Sequence, residues 1–196
     1  MVGAVFLFSA FLYSRQFYFG GFDEESTRLA IRWSARISVV LFSMAFIVGS
    51  LQYFWGNVFT FWMRMNRKYL GISFAMSHIF HLGWLVVLQQ NFHPVFEKAK
   101  TISLIGGGLA YLFLVLMLLT SFPFFAKKIS SRNWKILHTA GGWWIWYIFI
   151  RSYGKNVVVK DDMDYLPALV VLVAVFLFRV AAFWKKRKNQ EAMPSV

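Results

Sequence analysis

The stretch Arg67-Lys68-Tyr69-Leu70-Gly71-Ile72-Ser73-Phe74-Ala75-Met76-Ser77-His78-Ile79-Phe80-His81, continuing to Gln89, decides how this chain is read. A basic cluster opens an apolar run of membrane-spanning length, and the run carries two histidines where hydrocarbon is expected. An ionisable side chain inside a bilayer is costly and marks a functional position. Imidazole is held in such a setting by a partner side chain or by a metal centre such as haem.

Outward from this run the same composition continues. Of 196 residues, 59% are hydrophobic and 15% charged, and the apolar residues fall in long blocks. That pattern belongs to an integral membrane protein. About 20 apolar residues cross a hydrocarbon core of roughly 30 Å, and the blocks predict spans over 2–19, 34–54, 69–89, 101–125, 136–153 and 165–184. The expected fold is all-α: one domain over 1–196, a multi-pass bundle of six transmembrane helices. Asp23 to Thr27 is expected to begin a short amphipathic helix between the first two spans. No cysteine is present, which excludes disulfides, thiolate chemistry and iron–sulfur clusters. The net charge of +13 gathers in short loops and the tail, so it reads as attraction to anionic lipid at the bilayer surface and not as a nucleic-acid footprint.

Loop charge also predicts orientation. Basic residues concentrate at Arg64, Arg67 and Lys68, at Lys127, Lys128, Arg132 and Lys135, and at Lys185 to Lys188, whereas seven of the eight acidic residues fall in the alternate connections. The positive-inside rule then puts both termini in the cytoplasm and sends the 69–89 and 136–153 spans in the same direction. On that reading His81 lies roughly 20 Å past Lys68, and His138 only about 5 Å past Lys135, at 1.5 Å per residue. His78 is one turn shallower than His81 on nearly the same face.

The remaining features have modest readings. Gly106-Gly107-Gly108 permits close helix approach or a bend; it lacks the strand and Lys-Ser/Thr of a phosphate loop. Trp143, Trp144 and Trp146 occupy successive faces, so some are expected to face lipid, and Trp84 and Trp134 read as interfacial belt residues. His93, before Pro94, reads as a solvated loop histidine. Arg36 is placed to snorkel to the interface, and Asp161, Asp162 and Asp164 read as a solvated loop cap. No Asp or Glu stands in the core of a span, which argues against a proton-coupled transporter.

The run Arg67 to His81, the later Asn133-Trp134-Lys135-Ile136-Leu137-His138 opening a Trp-rich span, and the approach Arg32-Trp33-Ser34-Ala35-Arg36 to the second span together resemble the ferric-reductase-like transmembrane family. The likeness is to its small bacterial branch, the haem-binding membrane subunit of the periplasmic methionine sulfoxide reductase system. It covers Arg32 to about Trp184. It implies b-type haem held between two helices that present histidines on two levels, with electrons passing between the membrane faces. The inner-level positions are here Arg67 and His138, and the outer-level positions His81 and Arg151. Each level thus has one histidine opposite an arginine, a poor iron ligand but a good partner for haem propionates.

The resemblance therefore implies haem b, one or at most two, with His81 and His138 as metal ligands and His78, Arg67 and Arg151 as further cofactor-binding residues. A quinone or FMN at the cytoplasmic side is also compatible with it. Three arrangements stay open: His138 sharing one haem with His78 or His81, if the 136–153 helix is displaced or kinked at Gly141-Gly142; a haem on a single histidine; or no haem, with the histidines bonded to Ser73, Ser77 or backbone carbonyls. The function expected is an oxidoreductase membrane subunit of the inner (plasma) membrane. It would take electrons from quinol or a cytoplasmic flavoprotein and pass them to a periplasmic or other extracytoplasmic redox partner. The alternative is a cofactor-free assembly or interaction subunit that keeps the bundle.

Overall fold

A computed structural model describes residues 11, 23–92 and 98–191, and it is helical throughout, with no strand among the described residues. The predicted span over 2–19 lies outside the described residues apart from Phe11, as does His93. We label the helices α1 (Glu24–Trp55), α2 (Val58–Met65), α3 (Arg67–Phe92), α4 (Lys98–Leu119), α5 (Pro123–Ala126), α6 (Ser131–Lys160) and α7 (Leu166–Glu191); a 3-10 turn, Met163–Tyr165, leads into α7.

The second predicted span begins ten residues earlier than its apolar block. Asp23 is the N-cap of α1, accepting the Ser26 amide hydrogen bond at 2.7 Å, and Arg28 pairs with Glu24 one turn along the surface. The acidic stretch is thus the first turn of α1 and not a separate helix; a capping side chain and acids at a helix N-terminus favour this. Gly56, at φ 45°, ends α1 in the left-handed region.

A short helix that the hydropathy blocks do not mark, α2, follows at once. Asn57 and Thr60 form a reciprocal capping box, and Phe59, Phe61, Trp62 and Met65 are exposed while Thr60 and Met63 are buried. Such a face suits the headgroup–acyl boundary. The predicted block 101–125 divides at Thr120 to Phe122, because Pro123 has no amide hydrogen to continue the ladder and disfavours helical geometry in the residue before it. Helix α6 is longer than its block. Ser130 caps it through the Asn133 amide at 3.2 Å, and Asp161, at φ 53°, closes it.

Among the described residues three helical stretches are long and apolar enough to cross a membrane: α1, α3 and Met163–Glu191. Helix α4 supplies a shorter apolar segment, Ile105–Leu119. Helix α6 has the length, but its glycines, His138 and tryptophans dilute its hydropathy.

Helix α1 packs most extensively on α3 and then on α7, while α6 packs on α4 and α7. The shared core holds Val39, Phe42 and Phe46 of α1, Phe74 of α3, Leu114 of α4, Ile145 and Phe149 of α6, and Leu172 of α7. Close approach is bought by Gly141 and Gly142: a Cβ at Gly141 would stand 2.6 Å from Met117 Sδ and 3.2 Å from the Phe113 ring, and one at Gly142 would stand 3.1 Å from the Phe46 ring. Gly107 and Gly108, by contrast, have nothing within 4 Å. The small residues that let helices meet are therefore mainly those of α6, and α6 runs through them as one continuous helix.

Candidate functional site

The interface between α1 and α3 is a seam of small polar residues. Ser34, Ser38, Ser73 and Ser77 are all buried. Ser38 Oγ and Ser77 Oγ are 3.0 Å apart, and Ser38 also donates to the Ser34 carbonyl at 2.8 Å. Small residues of this kind permit close helix packing and cross-helix hydrogen bonding in membranes.

His81 joins this seam. Its Nδ1 lies 3.0 Å from Ser34 Oγ, and Ser34 in turn donates its hydroxyl hydrogen to the Ile31 carbonyl at 3.0 Å. A serine has one hydrogen to donate, so Ser34 accepts Nδ1–H from His81. The Nε2 of His81 then carries the free lone pair. Metal-ligating histidines are oriented in this way, with one ring nitrogen donating to a neighbour and the other presented to the metal.

His78 is stacked between His81 and Tyr111, with ring centroids 5.1 Å and 4.9 Å away, and the edge of Phe149 meets it at 5.4 Å. Its Nδ1 is buried without a hydrogen-bond partner, while its backbone carbonyl accepts the Tyr111 hydroxyl at 3.3 Å. The rings of His78 and His81 are within 20° of parallel, side by side on one helix, so they cannot bind one iron from opposite faces.

His138 is held elsewhere. Thr120 Oγ1 donates to the Leu116 carbonyl at 2.7 Å and lies 3.1 Å from His138 Nε2, so Nε2–H is the donor to Thr120. Trp134 stacks on the imidazole at 4.0 Å and donates its own Nε1–H to the Thr120 carbonyl at 3.1 Å. The ring that α6 presents to His78 is Phe149, 11 residues beyond His138 and so about 16 Å further along the axis. The structure does not bring His138 to the His78–His81 level, and metal–nitrogen bonds of about 2 Å cannot bridge that offset.

The two arginines of the predicted site part company. Arg151, two residues past Phe149, is exposed and makes no hydrogen bond or ion pair among the described residues. Arg67 donates from Nε to the Ala45 carbonyl of α1 at 3.2 Å. Ser77 and Ser73 are not the histidines' partners: Ser77 bonds Ser38, Ser73 Oγ is buried without a partner, and the partners are Ser34 and Thr120.

The tryptophans differ from expectation as well. Trp143 packs edge-on against Phe46, Trp144 donates to the Gly106 carbonyl at 3.2 Å, and Trp146 donates to the Leu172 carbonyl at 3.1 Å. Helix α6 has neighbours on three sides, so three successive faces all find protein, and none of these rings is among the exposed ones. Trp84, expected in the belt, is buried. Arg36 stacks on Trp33 and pairs with Asp164 across the α1–α7 junction at 3.6 Å.

Arg179 is the residue that apolar-block reading passes over. It stands within the apolar run of α7, its guanidinium 3.9 Å from the Phe46 ring centroid and 5.1 Å from that of Trp143, with Nη1 donating to the Phe46 carbonyl. A single charge in such a run is a signal by itself.

Among the described residues no group of three or more His, Cys, Asp or Glu side chains could hold a metal ion. Each of the two histidines has one ring nitrogen engaged, Nδ1 of His81 by Ser34 and Nε2 of His138 by Thr120, which leaves Nε2 of His81 and Nδ1 of His138 as the nitrogens with a lone pair to offer. No family model matches this chain, and no curated protein or solved structure is significantly similar to it.

Proposed function

We propose that this protein is a multi-pass membrane bundle of six spans, with both termini cytoplasmic, that carries electrons across the inner (plasma) membrane through a b-type haem on His81. The observation that carries the reading is the Ser34–His81 hydrogen bond, which orients a buried imidazole and leaves Nε2 free as a ligand. The sequence resemblance to ferric-reductase-like membrane domains points the same way, since His81 falls on one of their histidine positions.

A haem bound there would supply a one-electron redox couple in a dry, apolar setting. The chain's own contribution is to fix the ring: Ser34 holds the tautomer, Tyr111 and Phe149 hold the neighbouring His78, and Phe42 and Phe74 exclude water. Donor and acceptor are assigned on the same footing: a quinol or cytoplasmic flavoprotein on the Arg67 side, with quinone or FMN as the local carrier, and an extracytoplasmic redox protein on the other. A methionine-sulfoxide-reducing partner is the specific candidate.

One observation favours the cofactor-free reading, in which the bundle serves as an assembly or interaction subunit. His138 is bonded through Nε2 to Thr120 and stacked against Trp134, as a structural histidine would be. The visible spectrum separates the two. Protein purified from haem-supplied cells and reduced with dithionite should show sharp b-type bands, and His81→Ala should abolish them. A colourless preparation overturns the electron-transfer reading.

A further inference from the structure

Two arginines from different helices converge on adjacent carbonyls of α1. Arg67, at the start of α3, donates to Ala45 O, and Arg179, from the middle of α7, donates to Phe46 O. Ala45 and Phe46 are consecutive residues of one helix, so donors on their carbonyls bring the two guanidiniums near each other. The two guanidiniums therefore cluster toward the end of the bundle that also carries Lys135 and the Lys185–Lys188 tail.

This cluster has no counter-charge of its own. Of the carboxylates among the described residues, Asp23, Glu24 and Glu25 stand at the opposite end of α1, Asp161, Asp162 and Asp164 stand at the opposite end of α6, and Glu191 pairs with Arg187 in the tail. The carbonyls take only one guanidinium hydrogen each from Arg67 and Arg179. Each guanidinium has five hydrogens to donate. Arg179 Nε is moreover buried without an acceptor. Like charges brought together repel, and a half-buried guanidinium such as Arg179, with one nitrogen buried and unpaired, is destabilising unless an acceptor meets it. An anion from outside the chain answers both demands, and a guanidinium pair matches the oxygen geometry of phosphate.

We propose that Arg67 and Arg179 form a binding site for a phosphate-bearing anion at this end of the bundle. The exposed side chain of Arg67 gives access from the bilayer boundary, beside the exposed aromatic face of α2. Phosphate chemistry is available there from a phospholipid headgroup or from solution, and the two sources are separable. The site is independent of haem.

The test uses the full chain in nanodiscs of phosphatidylcholine, to which either phosphatidylglycerol in rising mole fraction or inorganic phosphate is added. Thermal unfolding is followed by tryptophan fluorescence, and retained lipid by native mass spectrometry. The expected result is stabilisation by one of the two additives, with apparent affinity lowered roughly fivefold by Arg67→Gln and again by Arg179→Gln, as for each basic residue at an anionic surface. Arg67→Lys should recover part of the loss. The matched control, Lys185→Gln with Lys186→Gln, removes as much charge from the tail and should cost less than the arginine pair. Lipid response alone assigns the site to a headgroup, and phosphate response alone assigns it to a soluble anion. If neither additive stabilises the protein, or if the lysine pair matters as much as the arginines, the site does not exist. Should Arg179→Gln fail to fold, Arg67→Gln, at an exposed helix start, decides the matter by itself.

Discussion

Ser34 Oγ and His81 Nδ1 lie 3.0 Å apart across the α1–α3 interface, and with the Ser34 hydroxyl hydrogen directed to the Ile31 carbonyl the histidine is the donor. This contact fixes which nitrogen of His81 is free. Ser34→Ala should leave the helix interface packed, since the side chain is small, while releasing the ring. Loss of such an outer partner typically costs about tenfold to a hundredfold in metal affinity. Haem titration into Ser34→Ala should show a drop of that order, with Ser34→Thr recovering most of it. Unchanged haem affinity would remove Ser34 from the site.

The contrast between His81 and His138 yields a second expectation. Thr120→Val keeps the shape of the side chain but removes the acceptor for His138 Nε2–H and the donor to Leu116. Leaving a partly buried donor unpaired costs about 1 kcal/mol or somewhat more. Thermal unfolding should therefore shift down, and Trp134 fluorescence should change as its stacked partner loosens. The reduced visible spectrum should stay as it was. Loss of the bands in Thr120→Val or His138→Ala would make His138 the ligand in place of His81.

Glycines separate by their neighbours. A methyl group at Gly141 meets Met117 and Phe113, and one at Gly142 meets Phe46. Overpacking of this kind costs typically about 1–3 kcal/mol, so Gly141→Ala should lower the unfolding temperature, moderated by the flexibility of Met117. Gly107→Ala and Gly108→Ala, which meet nothing within 4 Å, should be neutral or mildly stabilising because alanine favours helix. A scan of these single substitutions in detergent checks the order.

Much of the helical framework was legible as apolar blocks, since α1, α3 and α6 each contain one whole and α4 and α7 each hold most of one. Their ends were less so. Asp23 extends α1 through a cap, and Pro123 cuts the fourth block, and both effects depend on one side chain that a hydropathy average hides. His81 and His138 could be singled out because a histidine in hydrocarbon is conspicuous. Their partners could not, because serine and threonine are ordinary in membrane helices, and only the packing of α1 on α3, or the turn after α4, brings Ser34 or Thr120 within reach. The offset of His138 from His81 follows from helix rise and could be anticipated; that Phe149 fills the opposing position could not.

The cap of α1 also carries a pH dependence. Asp23 lies just before the helix, fully exposed, and the Ser26 backbone amide holds its carboxyl below the usual value of 3.8. A carboxyl depressed in the folded state contributes stability that is fully present above its unfolded pKa and is lost as pH falls through the lower, folded value. The start of α1 should therefore be protected at neutral pH and fray as the solution is taken well below pH 3.8. Amide hydrogen exchange at Ser26 and Thr27, corrected for the intrinsic pH dependence of exchange, reports it directly. Asp23→Asn should cap about as well as the ionised aspartate at neutral pH, yet show no such acid loss. If the two proteins fray alike on acidification, Asp23 is not the group responsible.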